Sequence, residues 1–155
     1  MRLFPRENYL NKIRGFYHDD GMIKVITGVR RCGKSCLMRC IAEELRAEGV
    51  DDEHIVFFDL DRYGYRSVKV PEQLEALIEP LLAISGTKYL FIDEVQNVEG
   101  FEDVLNGFRT EGGFSIFITG SNSYLLSGEL ATKLTGRYIE FEMQTLDFGE
   151  YCQMK

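Results

Sequence analysis

Features that would place this protein in a membrane or outside the cell are missing from its sequence. No apolar run approaches the roughly 20 residues that a membrane-spanning helix needs. Residues 1–6 read Met-Arg-Leu-Phe-Pro-Arg, without the uninterrupted apolar region of a signal peptide. We therefore expect a cytoplasmic protein with no membrane partner.

An excess of positive charge is also missing. Asp and Glu number 25 against 18 Lys and Arg, and the formal net charge is -7. Such a chain repels polyanions at long range. A few basic residues near the N-terminus are expected on a solvated helix face; they are Arg2, Arg6, Lys12 and Arg14. Nucleic acid is therefore not indicated as a partner.

The four cysteines do not form a metal site with histidine. Cys32, Cys36 and Cys40 are spaced by four residues, but no cluster of His or Cys completes a zinc-binding set. We interpret them as reduced intracellular thiols used for packing. Cys32 lies in a glycine-containing loop that precedes a predicted helix, which leaves a redox-sensitive role open for it.

Strand and helix patterns alternate along the chain. Hydrophobic residues make up 45% of it and no linker or repeat is evident, so we expect one globular domain over residues 1–155. Pro71 should begin the third of the predicted helices and Pro80 should bend it. The order predicts an α/β fold with a parallel sheet of about five strands and helices on both faces. Predicted strands are residues 23–28, 55–60, 89–92, 114–119 and, at an edge, 138–142; predicted helices carry residues 9–17, 37–45, 74–82, 101–108 and 124–126.

A glycine loop joins the first strand to the next helix. Its pattern, Gly28-x-x-x-x-Gly33-Lys34-Ser35, is the Walker A motif, in which backbone N–H groups surround the phosphates of a nucleotide. Lys34 is expected to contact the β and γ phosphates, and Ser35 to supply a hydroxyl ligand to Mg²⁺. The predicted ligand is thus ATP with Mg²⁺. Residues expected at the nucleotide are Gly28, Val29, Arg30, Arg31, Cys32, Gly33, Lys34, Ser35 and Cys36.

An acidic pair ends the apolar strand at residues 89–92. Asp93 and Glu94 match a Walker B element, in which the Asp holds magnesium. Glu94 is then placed to polarise the attacking water, a hypothesis that rests on its position. The alternative is that the pair consists of ordinary solvated loop carboxylates at a strand end.

Further candidate catalytic residues lie beside the last two predicted strands: Ser121 and Asn122 follow the first of them, and Arg137 precedes the second. Either Ser121 or Asn122 is expected to hydrogen-bond the γ phosphate or orient the water, and spacing does not choose between them; capping of the next helix by Asn122 or Ser123 is the alternative. Arg137 is a candidate for stabilising transferred charge, with a surface salt bridge as the other interpretation. Arginine can act within one subunit or from a neighbour.

Four motifs occur in order, at residues 25–35, 91–96, 119–123 and 134–137. Together they resemble the AAA-type P-loop ATPases of bacteria and archaea that begin with such a core and continue into a C-terminal domain of unknown function. The resemblance runs from about residue 1 to the end. It implies the three-layer P-loop NTPase fold and ATP hydrolysis, with Lys34, Ser35, Asp93 and Glu94 at nucleotide and magnesium positions. Because residues 146–151 look like the segment that leads into a helical lid, we expect the chain to be truncated before the lid and the C-terminal domain.

Two functional classes fit these motifs. The first is an ATPase whose turnover is coupled to a conformational change in a larger protein, and Glu94 favours it. The second is a nucleotide-dependent switch with negligible turnover. A GTPase would need an Asn-Lys-x-Asp element, which is missing, and a small-molecule kinase would need an acceptor site that the sequence does not show. The expected partner is an unknown protein or the chain's own C-terminal domain, and homo-oligomerisation stays open.

Overall fold

The computed structural model describes residues 7–28, 33–120, 134 and 136–143. Its sheet has five parallel strands in the order β2-β3-β4-β1-β5. The predicted parallel sheet is confirmed, and so is the edge position of the last strand. The strands are β1 (Ile23–Gly28), β2 (Ile55–Asp59), β3 (Lys88–Asp93), β4 (Phe114–Gly120) and β5 (Tyr138–Met143).

Helices cover both faces of the sheet. Every residue of the three central strands is buried, as expected of strands that are packed on two sides. The apolar stripes of α1 and α2 pack on one face, and those of α3 and α4 on the other. The helices are α1 (Glu7–Ile13), α2 (Lys34–Ala47), α3 (Pro71–Ile78) and α4 (Phe101–Glu111).

The third helix is shorter than its pattern predicts. Pro71 begins α3 as expected, but the α-helix ends at Ile78 and continues as a 3-10 helix over Glu79–Ala83. Pro80 lies in this segment, and its missing N–H and its ring both oppose a continued α-helix. The predicted bend is therefore a change of helix type. The helix predicted around residues 124–126 falls outside the described residues.

Within the described ranges, no helix is long and apolar enough to cross a membrane.

A row of three stacked aromatic rings crosses the middle of the sheet. The ring centroids of Phe57 and Phe91 lie 4.6 Å apart, and those of Phe91 and Phe117 lie 4.7 Å apart. Because side chains two residues apart share a face of the sheet, Asp59, Asp93 and Thr119 form the next row, where the strands end. The aromatic row thus fixes the height at which these polar groups meet.

Candidate functional site

The junction of β1 and α2 holds a buried lysine. Lys34 is the first residue of α2, is 6% exposed, and donates from Nζ to the Gly28 carbonyl oxygen at 2.8 Å. Gly33 before it has φ 94°, a left-handed conformation that favours glycine. A cation therefore lies at the N-terminus of a helix of 14 residues, where the helix dipole also favours anions. The expected contacts at Val29, Arg30, Arg31 and Cys32 fall outside the described residues.

Ser35 and Asp93 meet although 58 positions separate them. The Ser35 hydroxyl donates to Asp93 Oδ2, and this contact joins the first turn of α2 to the end of β3. Ser35 is exposed and Asp93 is buried. A hydroxyl and a carboxylate are the hard oxygen ligands that Mg²⁺ takes, so these residues fit the ion.

Thr119 is the member of the polar row that lies on β4, beside Asp93 of β3. Its fully buried hydroxyl donates to Asp93 Oδ1 and accepts a hydrogen bond of 3.0 Å from the backbone N–H of Glu94. The sequence interpretation places Thr119 in a motif but gives it no role. The available signal is its position at the carboxyl end of a buried strand beside the strand that ends in Asp93. Ser121 and Asn122, the candidates that were weighed there, fall outside the described residues.

Glu94 has an unusual backbone. With φ 58° and ψ 49° it is the one non-glycine residue at positive φ among those the structure describes. A left-handed conformation is costly for a residue with a Cβ atom, and such strain is concentrated at functional sites. The half-buried Glu94 side chain accepts a hydrogen bond at Oε2 from Gln96 Nε2 at 2.5 Å. The sequence interpretation includes Gln96 in the motif at residues 91–96 but gives it no role.

Arg137 lies at the other end of the sheet. It directly precedes β5, and its carbonyl oxygen accepts a 2.9 Å hydrogen bond from the N–H of Ile23, the first residue of β1. Since the strands are parallel and six residues of strand span roughly 20 Å, Arg137 is remote from Lys34 and Asp93. The expectation that Arg137 acts at the nucleotide is not met within one chain.

The thiols of α2 face the core. Cys36 packs against the apolar cluster beneath α2, so its contact with a nucleotide would come from its backbone. Cys40 is buried. A hydrogen bond with Cys36, together with burial, raises the pKa of the Cys40 thiol and keeps it protonated. The prediction that these cysteines pack is consistent with this arrangement.

Comparison with curated proteins gives two relatives without a described function. An uncharacterized protein of Haemophilus influenzae is 41% identical over 154 residues, which cover 99% of this chain and 38% of that protein. The uncharacterized protein MJ1544 of Methanocaldococcus jannaschii is 37% identical over 138 residues, which cover 86% of this chain and 29% of that protein. The chain thus spans less than two fifths of the length of either relative.

Solved structures of similar fold include proteins of distant sequence. Rif2 in complex with the C-terminal domain of Rap1 aligns with a TM-score of 0.66 at 14% identity, over 97% of this chain and 58% of that one. A DNA polymerase III gamma subunit-related protein of Thermotoga maritima aligns with a TM-score of 0.65 at 9% identity, over 91% and 47% of the two chains. These likenesses show the fold. Residues 20–152 match the family described as AAA domain, and because this match covers most of the chain, the protein belongs to that family of AAA-type P-loop ATPases.

Proposed function

We propose that this chain binds ATP with Mg²⁺ at the carboxyl edge of its sheet and hydrolyses it, as the ATPase core of a larger protein. The observation that carries the proposal is an unbroken series of contacts, from the Ser35 hydroxyl to the Asp93 carboxylate, the Thr119 hydroxyl and the Glu94 backbone. These groups come from α2, β3 and β4. Three elements therefore meet at one cluster of hard oxygen ligands beside a helix N-terminus.

Lys34 would bind the terminal phosphates. Its ammonium group now donates to the Gly28 carbonyl oxygen at 2.8 Å, and it would exchange this partner for phosphate oxygens, which form stronger charge-assisted hydrogen bonds. Ser35 and Asp93 would hold Mg²⁺, which when bound neutralises charge that develops on the phosphates. The glycine loop and the first turn of α2 would surround the phosphates with backbone N–H groups.

Glu94 would polarise the attacking water. Its backbone is tied through Thr119 to Asp93, so the water-polarising carboxylate and the magnesium ligand keep a fixed relation to one another. Ser121 or Asn122, which follow β4 directly, would contact the γ phosphate. Since Arg137 lies at the opposite edge, an arginine contribution from it would have to come from a neighbouring subunit of a homo-oligomer.

Coupling would pass from Glu94 to the helices on one face. A 3-10 helix, Val95–Asn97, follows Glu94, and α4 begins four residues later at Phe101. Val95, Val98 and Phe101 are all fully buried in the core beneath α3 and α4. A displacement at Glu94 would therefore move buried groups and not a free loop. The receiver would be the remaining part of a longer protein or a separate protein partner.

The test measures ATP binding and phosphate release on the same samples. Isothermal titration calorimetry with ATP and Mg²⁺ compares the chain with Lys34→Ala, and with Lys12→Ala as a control at an exposed lysine of α1. We expect binding to be lost in Lys34→Ala alone, and phosphate release to be lost in Glu94→Gln while ATP still binds. Absence of ATP binding in the unaltered chain, or equal binding by Lys34→Ala, would reject the proposal.

A nucleotide-dependent switch with negligible turnover is the second candidate. The hydrogen bond from Gln96 to Glu94 is compatible with it, because the contact engages one carboxylate oxygen whether or not the other acts on water. In that case the chain and Glu94→Gln would bind ATP equally and release phosphate equally slowly. Turnover that depends on Glu94 would decide for the ATPase.

A further inference from the structure

Gln96 is held in place independently of its side chain. Its neighbours Val95 and Val98 are fully buried, and backbone hydrogen bonds of 3.1 Å from Asn97 N–H to the Glu94 carbonyl oxygen and of 3.0 Å from Val98 N–H to the Val95 carbonyl oxygen close the turn around it. The amide of Gln96 therefore meets Glu94 from a rigid segment. A contact between two well-anchored residues at 2.5 Å is a built feature and not the chance meeting of two surface side chains.

The two ends of the Gln96 amide have different surroundings. Its Nε2 faces Glu94 Oε2, and this orientation follows from chemistry, because an ionised carboxylate only accepts hydrogen bonds and the amide oxygen would repel it. Its Oε1 is buried without a hydrogen-bond partner in the described part of the chain. A buried, unpartnered acceptor is unfavourable. Packing alone would be served better by an apolar side chain of similar size, so what the amide contributes at this position is the contact made by its nitrogen.

We propose that Gln96 is a positioning residue for Glu94: its amide holds carboxylate oxygen Oε2 and so leaves Oε1 to accept a proton of the attacking water. The inference rests on the proposed ATPase function. It adds to that function the residue that orients the water-polarising group, in the way that a base needs an orienting partner. Thr119 fixes the backbone of Glu94, and Gln96 fixes its side chain.

A spectroscopic experiment tests the contact without turnover. In a ¹H–¹⁵N spectrum of the labelled chain, the side-chain amide of Gln96 is identified by its loss in Gln96→Leu. We expect this signal to move in Glu94→Ala, because the hydrogen bond to a carboxylate is removed, and to stay in place in Glu99→Ala, which changes an exposed carboxylate of the same loop. An amide signal that does not respond to Glu94→Ala overturns the inference whether or not the chain hydrolyses ATP.

Kinetics test what the contact does. We expect Gln96→Leu to lower kcat roughly 10- to 100-fold, by analogy with the loss of residues that orient metal ligands, with little change in KM or in the Kd for ATP. In a Glu94→Gln background the same substitution should have no further effect, because both act through one carboxylate. A kcat that stays the same or rises in Gln96→Leu overturns the inference.

Gln73 provides the matched control. Its Oε1 accepts hydrogen bonds of 2.7 and 3.2 Å from the N–H groups of Lys69 and Val70 at the start of α3, a structural role for the same side chain. Gln73→Leu should lower the thermal midpoint and leave kcat unchanged. If the unaltered chain turns over no faster than Glu94→Gln, the proposed ATPase function fails, and the amide signal still decides whether Gln96 holds Glu94.

Discussion

The two ends of β4 carry buried hydroxyl groups with opposite uses. Ser115 and Thr119 are both fully buried, and they share a face of the sheet with Phe117 between them. Ser115 Oγ accepts from Lys24 Nζ at 2.9 Å and donates to the Tyr17 carbonyl oxygen at 2.6 Å. Thr119 instead joins the Asp93 carboxylate to the backbone of Glu94.

The difference lies in where each series of contacts ends. At the amino edge of the sheet, where the strands begin, Lys24 also donates to the Asp19 carbonyl oxygen and lies 4.8 Å from the centre of the Phe117 ring. The polar groups there are satisfied within the fold. At the carboxyl edge, the contacts lead to an exposed hydroxyl at Ser35 and a strained backbone at Glu94. One edge stabilises the sheet, and we propose that the other is completed by a ligand.

The largest effect on stability is expected from truncating the aromatic row that lies between the two edges. Phe91 is fully buried in the middle of the aromatic row that supports both edges. Phe91→Ala should lower the free energy of unfolding by about 3–5 kcal/mol through lost burial and a cavity, as measured by urea denaturation. Phe57→Ala, at the partly exposed end of the row, should cost less. Equal losses for the two variants would show that the cost of truncating a ring of this row does not follow its burial.

Lys24 at the amino edge should make the free energy of unfolding change with pH in the alkaline range. Burial lowers the pKa of Lys24 from 10.5 to about 8, against the opposing effect of the carboxylates of Asp19 and Asp20. Between these two values the unfolded chain binds more protons than the folded one, so the contribution of Lys24 to the free energy of unfolding rises with pH. The free energy of unfolding of the unaltered chain minus that of Lys24→Met should therefore increase by on the order of 3 kcal/mol from pH 8 to pH 10.5.

Tyr17 provides a control of opposite sign. Burial, followed by the hydrogen bond to Glu44, raises the pKa of the Tyr17 phenol above its ordinary 10.0. The folded chain therefore keeps a proton that the unfolded chain loses, and the stabilising contribution of Tyr17 falls as pH rises above 10. The free energy of unfolding of the unaltered chain minus that of Tyr17→Phe should therefore decrease above pH 10.

The Lys24 comparison has its own contradicting outcome. If the difference between the unaltered chain and Lys24→Met does not change from pH 8 to pH 10.5, Lys24 is not a buried cation at this edge.

A pair of hydroxyl substitutions sharpens the comparison directly. Thr119→Val and Ser115→Ala each leave buried polar groups without partners, so each should lower the free energy of unfolding by about 1–3 kcal/mol. ATP turnover should fall in Thr119→Val and persist in Ser115→Ala, because the first touches the carboxylate that would hold magnesium and the second does not. Turnover lost equally in both variants would show that activity follows stability alone.

Local patterns predict the sheet because its strands are buried on both faces. Residues 23–28, 89–92 and 114–119 form near-continuous apolar runs, and the structure has a strand at each. Helix periodicity predicts the stripes of α2 and α4 equally well. Polar residues that follow these strands also meet at one edge, since parallel strands all end there.

Contacts between strands are harder to predict. The role of Thr119 depends on its position beside Asp93 across two strands, and that of Gln96 depends on a left-handed turn at Glu94, which is uncommon for glutamate. A local sequence pattern predicts neither role. The position of Arg137 could have been found, because a residue that precedes a parallel strand must lie at the amino edge.

The smallest expected effect concerns the strain at Glu94. Glycine adopts φ 58° without the steric cost of a Cβ atom, so Glu94→Gly should be more stable than Glu94→Ala by about 1 kcal/mol. Both variants lack the carboxylate, so the comparison isolates the backbone; urea denaturation measures it. If Glu94→Ala is equally stable, the left-handed turn stores no strain. Strain of this kind at a residue that we propose to polarise the attacking water is what a functional site produces, since function there opposes the best fold.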